Sequence, residues 1–283
     1  MFNQQLSNRL SIFPAISEAY EFLWENRNDF ARMSALPVVI LAFADVIAIA
    51  LFPPQESGIT YEAWAARLLP AAFLYVMFSV AWHRRFLRSS ETSTFWGALR
   101  WDGRKTIFLF RLVGIFLCVA LISLSPTIIV IIIGGILSMM SGAAGTSVVA
   151  PQGIGLLGTA VVMTIALLLY ARLSLWLPAT AVDEKYGPVA IWTLGQGNSW
   201  SLAGITLGAA LPLMLGTIAI TSFVHSLLMG LGIDTHLTGR FITALASGFC
   251  NYVTLAAEIT ALSIAYKKLS RPTNPGMAMF RKD

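Results

Sequence analysis

Apolar residues run along this chain in long unbroken stretches rather than in alternation. Six stretches reach the ~20 residues that a helix needs to cross ~30 Å of hydrocarbon. They are 30–52, 63–82, 106–141, 157–182, 200–230 and 239–266. No period-2 pattern interrupts them, so the runs predict helices and not the strands of a β-barrel. The third run is the longest. Pro126 follows Ser125 in it, and Gly134-Gly135 comes later. Splitting it into two half-length passes would give seven spans and place the two basic termini on opposite sides. One long helix kinked near Pro126 is therefore expected, projecting beyond the membrane. The expectation is an all-α integral membrane protein, residues 1–283 forming one transmembrane domain.

Shorter periodic segments precede some of the spans. Ile12, Phe13, Ile16, Tyr20, Leu23 and Trp24 recur at three- and four-residue spacing around Pro14. That is a helix with one apolar face over about 12–27. Pro188 opens a similar segment over 188–198, with Val189, Ile191, Trp192 and Leu194. A third, over 93–102, carries Phe95, Trp96, Leu99 and Trp101. Leu36-Pro37 and Leu211-Pro212 follow the first two starts at nearly equal distance. The chain thus reads as three units, each an interfacial helix and a two-span hairpin, with the middle unit lacking its Leu-Pro.

Charge orients the spans. Only 12% of residues are charged and 57% are apolar, which excludes a water-soluble or disordered chain. Arg84, Arg85, Arg88, Arg100, Arg104, Lys105, Lys267, Lys268, Arg271, Arg281 and Lys282 all fall on one set of loops or the C-terminal tail. Of nineteen basic residues, only Arg67 and Arg240 lie near the other side. By the positive-inside rule both termini are expected in the cytoplasm. The net charge of +5 sits in loops, so nucleic acid is not an expected partner. The polar start of the chain has no apolar segment of signal-peptide type, and no cleaved signal is expected.

The stretch RLSLWLPATAVDEKYGPVAIWTLGQGNSW, from Arg172 to Trp200, has a distinctive order. An Arg near the end of a span precedes Leu-Pro-Ala, an acidic pair, a Gly, a short amphipathic helix and an Asn-Ser-Trp entry to the next span. The layout resembles the uncharacterised bacterial six-span proteins of the YciC-like group. It is also similar to the membrane domain attached to some glycerophosphoryl diester phosphodiesterases. The resemblance implies a bacterial cytoplasmic-membrane location and no established activity. The soluble phosphodiesterase domain and a metal-binding cluster to replace it are both missing from the sequence.

Enzymatic motifs fail on context. Gly153, Gly155 and Gly158 match G-x-G-x-x-G, yet no strand precedes them and no acidic residue follows at the required distance. A flexible loop is the expected reading. His83, His225 and His236 have no His, Cys or carboxylate neighbour at a metal-ligand spacing. His83, beside Arg84, is expected to be solvated at headgroup level. Cys118 and Cys250 form no spacing of a disulfide framework or metal site. No catalytic residue, cofactor or metal is assigned.

Ionisable residues inside spans carry more information, because an unpaired charge in hydrocarbon costs ~3 kcal/mol or more. Glu258 ends a polar stripe of Ser247, Asn251 and Thr254 in the sixth run. Arg172 lies at similar expected depth in the fourth, so the two form a candidate ion pair, with Arg111 able to join. Asp45, Arg67 and His225 form a second group nearer the other side. Gly204 with Gly208, Gly134 with Ser138 and Gly142, and Ala244 with Gly248 mark candidate close helix contacts, within one chain or in a homo-oligomer. The first functional expectation is a non-enzymatic scaffold or accessory subunit that binds membrane proteins or lipid. The alternative is a small-solute, ion or lipid transporter built on Arg172 and Glu258.

Overall fold

A computed structural model describes residues 10–53, 60–88, 100–143, 149–234 and 236–270. Nine helices lie among them: α1 (Ile12–Glu25), α2 (Arg27–Leu51), α3 (Tyr61–Leu87), α4 (Gly103–Ala143), α5 (Val149–Leu173), α6 (Trp176–Ala181), α7 (Pro188–Leu194), α8 (Ser199–Gly230) and α9 (Leu237–Leu269). Six helical segments are long and apolar enough to cross a membrane. The protein is a multi-pass α-helical membrane protein.

The long third run is one unbroken helix, α4. Pro126 removes the N–H that would bond the carbonyl of Ile122. The Ser125 hydroxyl donates to that carbonyl instead, at 3.3 Å. The fourth run carries an internal turn. Its apolar stretch spans Gly158–Ala181 as expected, but within it α5 ends at Leu173 and, after a turn at 174–175, a short α6 follows. Pro178 explains the break, because its ring would clash with the carbonyl of Ser174 in a continuous helix. The G-x-G-x-x-G segment is also corrected: residues 153–158 lie inside α5, not in a loop. The expected interfacial helix over 93–102 falls mostly outside the described residues. Units one and three do show a helix, α1 or α7, ahead of a hairpin.

Helix α9 is the hub. Small residues Ala256, Ala257, Ala261 and Ala265 are fully buried on it and let neighbours approach. Against α3, the Trp82 indole donates to the Ala256 carbonyl at 3.1 Å and to Thr260 Oγ1 at 2.9 Å. Phe22, Phe30, Phe78 and Tyr252 complete an aromatic cluster with Trp82 between α1, α2, α3 and α9. His83 is the next correction. It is 1% exposed and its Nδ1 lies 2.7 Å from Ser263 Oγ. It is an interhelical polar contact, not a solvated headgroup-level residue.

Helix α1 does not lie free on a surface. Ala15 and Ala19 are fully buried, and its face packs on α8 and α9. Ile12 sits over Gly204 and Ile16 over Gly208, so the G-x-x-x-G pair is the notch that receives α1. Pro212 cannot bond the Gly208 carbonyl, and the Tyr20 hydroxyl reaches that region, donating to Ala209 O at 2.9 Å and Gly208 O at 3.4 Å. The surroundings of Gly134 and Ser138 lie outside what the structure describes.

Candidate functional site

Helices α3, α4, α5, α8 and α9 touch in sequence to form a closed ring. Neighbouring helix axes sit ~8–10 Å apart and a helix with side chains has a radius of ~5–6 Å. A regular five-membered ring of such helices would enclose a core of roughly 1–3 Å radius for side chains or water. One end of that core is plugged by α6. Leu177, Pro178, Ala179, Thr180 and Ala181 are all buried there. Leu177 and Ala181 pack with Val76 and Val80 of α3 and Phe108 and Ile115 of α4. Ala179 joins the cluster of Ala261, Leu262 and Ala265 on α9.

The rotation of α9 decides what faces this core. The Cys250 thiol lies beside Thr217 of α8. Tyr252 packs on Tyr75 and Phe78 of α3, and Phe249 on Phe30 of α2. Each residue turns the helix by about 100°. Asn251 therefore points between α8 and α3, on the side away from α2, into the ring. Glu258, seven residues on, shares that face. Asn251 is exposed, Glu258 half-buried and Leu262, one turn deeper, 8% exposed. Across the ring, Tyr170 of α5 stacks on Phe116 of α4 and lies within electrostatic range of Glu258.

The expected Arg172–Glu258 ion pair is not formed. Glu258 lies three turns, about 16 Å, inside the end of α9, whereas Arg172 is in the last turn of α5. Arg172 instead donates from Nε to the Trp192 carbonyl at 3.0 Å and stacks 3.8 Å over the Trp192 ring, tying α7 to α5. Arg111 does not join Glu258 either. It donates to Thr180 Oγ1 at 2.6 Å and lies 4.7 Å over the Trp176 ring, fastening the plug to α4. Asp45 and Arg67 do meet, at 2.9 Å between α2 and α3. His225 is exposed on α8 and, among the described residues, makes no ion pair or hydrogen bond with them. Among the described residues, Glu258 has no ion-pair or hydrogen-bond partner, and no group of His, Cys, Asp and Glu is placed to hold a metal.

The plug is held from its other end by a carboxylate clamp that spacing alone did not reveal. Asp183 sits at φ 66°, a left-handed turn just after α6. Its carboxylate accepts from Arg84 at 3.0 Å and from Arg104, with Arg88 3.9 Å away. Burial pushes its acid up, but hydrogen bonds and charge from Arg104 and Arg84 outweigh this and hold it below the usual carboxylate range. Glu184 accepts the hydroxyl of Tyr266 on α9. These are the acidic pair and the basic loop noted in the sequence. The N-terminal helices carry two further pairs: Asp29, at the start of α2, meets Arg85 of the same basic set at 2.9 Å, and Glu18 of α1 meets Lys268 at 3.1 Å. No family model, curated protein or solved structure matches the chain.

Proposed function

We propose that this chain is a non-enzymatic membrane carrier or receptor that admits a small cationic solute to the core of its helix ring. The single observation behind the reading is the α9 face bearing Asn251 and Glu258, turned inward with no cation among the described residues to neutralise the carboxylate. An intramembrane carboxylate without an internal partner is supported by water or by a bound cation. Tyr170 supplies a hydrogen-bonding group across the core, and α6 makes the basic end closed. In this reading the basic end faces the cytoplasm, in a bacterial inner membrane, with both termini there; the loop charges support that orientation.

The test uses a chain carrying Cys118→Ser and Cys250→Ala. Asn251→Cys should react with a membrane-impermeant maleimide at least about tenfold faster than Phe223→Cys, an outward α8 position, because a thiol in hydrocarbon does not ionise. A hydrophobic carbodiimide should modify Glu258, and small organic cations should slow that modification. Glu258→Gln should keep the Asn251→Cys labelling and abolish carbodiimide incorporation at residue 258. Equal, slow labelling of Asn251→Cys and Phe223→Cys would mean a dry ring and end this reading. Orientation is checked separately: Tyr61→Cys, at a 90% exposed position, should label from outside intact cells, and Lys185→Cys should label only after lysis.

A second reading, an accessory subunit for other membrane proteins or for the same chain, rests on α4. This helix has 41 residues, about 60 Å at helical rise, roughly twice the hydrocarbon thickness. Ile128, Ile129, Ile131 and Ile132 on it are all more than half exposed. Co-purification of a stoichiometric protein partner that is lost on Ile129→Glu would favour it. The YciC-like resemblance of 172–200 is compatible with either reading.

A further inference from the structure

A second site lies outside the ring, where α5, α7 and the start of α8 meet. A groove of about 400 Å³ opens there. Leu168, Leu169 and Trp200 make its walls, and Arg172, Trp192 and Ser199 its polar rim. We propose that this groove binds the headgroup and upper acyl chain of an anionic phospholipid in the leaflet at the basic end of the bundle.

Three features point to that ligand. The guanidinium of Arg172 is held rather than free to swing. Its Nε bond to the Trp192 carbonyl and its stack on the Trp192 ring fix the plane. That leaves the Nη groups, four of the five guanidinium N–H donors, without a partner among the described residues. A fixed fork with open donors matches phosphate oxygens. The chain also leaves the first turn of α8 open. Asn198 stands at its N-cap but makes no capping bond, because its Oδ1 accepts the Leu10 N–H at 3.1 Å. Ser199, the first residue of α8, lines the groove, so the hydroxyl and the open N–H end of the helix lie on the same side as Arg172.

The walls decide between a lipid and a dissolved anion. Leu168 and Leu169 belong to the apolar body of α5, and Trp200 is 67% exposed beside them. A phosphate from solution would leave those surfaces bare, whereas a lipid covers them with its acyl chain. No carboxylate lines the groove to receive the ammonium of a zwitterionic headgroup. Arg172 is in the last turn of α5, and Trp192 and Trp200 are of the residue type that concentrates at membrane interfaces.

The test is lipid retention on the full-length protein in nanodiscs of equal phosphatidylglycerol and phosphatidylcholine, read by native mass spectrometry. The wild type should retain one phosphatidylglycerol in clear preference. Arg172→Gln should lower that preference about tenfold, the loss expected for charge-assisted bonds to phosphate, and Arg172→Lys should keep part of it. Because Arg172 also holds α7, a second variant leaves it in place: Leu169→Trp fills the groove and should lower retention equally at unchanged thermal stability. Equal retention of both lipids by the wild type, or wild-type preference in Leu169→Trp, overturns the proposal. So does displacement of the retained lipid by millimolar inorganic phosphate, which would assign the groove to a soluble anion.

Discussion

Trp82→Ala should cost the bundle about 3–5 kcal/mol, the range for deleting a fully buried large aromatic. The side chain has no exposed surface and touches three aromatic rings, with centroids 5.7 Å away at Phe22, 6.0 Å at Phe30 and 5.8 Å at Phe78. Lipid cannot refill the space, since α1, α2, α3 and α9 enclose it. Packing dominates the loss over hydrogen bonding, because Thr260 already donates its hydroxyl to the Ala256 carbonyl at 2.8 Å and that carbonyl is not stranded. Trp82→Phe separates the two effects: it keeps most of the ring contact and should cost about 1 kcal/mol for the lost indole bonds. The measurement is the unfolding midpoint in mixed micelles of mild detergent and dodecyl sulfate. Trp64→Ala, at a 57% exposed position, is the control and should leave the midpoint unmoved. A Trp82→Ala midpoint equal to that control would mean that the aromatic cluster does not tie α3 to α9.

The Trp82 contact separates what the sequence encodes openly from what it does not. Uninterrupted apolar runs and one-sided loop charge are local signals, and six spanning segments follow from them with little ambiguity. Which face of a span turns inward is not local. A membrane helix can be apolar all round, so no stripe separates the buried Trp82 and His83 from the exposed Trp64 in the same helix. The break between α5 and α6 was readable in principle, since Pro178 marks a clash with Ser174. Leu175, Trp176 and Leu177 keep the segment apolar across it, which hides the break. Arg172, just before that turn, meets Trp192 of α7 and not Glu258, and the apolar run alone does not disclose this. Asp183 and Glu184 stood out as an acidic pair, but their partners Arg84, Arg104 and Tyr266 come from distant parts of the chain, and only the tertiary fold brings them together.

Gly208→Leu should unseat α1 from the bundle. Even a Cβ at this position would stand 2.4 Å from Cδ1 of Ile16, so an alanine is accommodated only if the end of that side chain turns away. Leucine adds three more carbons with no space left beside Ile16. Gly204 repeats the constraint one turn earlier, where a Cβ would stand 2.8 Å from Cδ1 of Ile12. The cost should follow size: about 1 kcal/mol for Gly208→Ala and about 3 kcal/mol for Gly208→Leu, the range for overpacking. Tyr20→Phe tests the neighbouring bond. Pro212 leaves the Gly208 carbonyl without its helical donor, and Tyr20 donates to that carbonyl and to Ala209, so the loss should be about 1 kcal/mol. A cysteine pair at Ala19 and a facing α9 position reports the seating directly, through disulfide formation in the wild-type background and its loss in Gly208→Leu. Efficient crosslinking in Gly208→Leu would show that α1 is held by α9 and by the Lys268–Glu18 pair alone. The expected loss instead makes the G-x-x-x-G notch, the Leu-Pro that follows it and the greasy face of the first helix parts of one device. Each was visible separately in the sequence, and their meeting depends on the α8–α9 hairpin returning to the N-terminal segment.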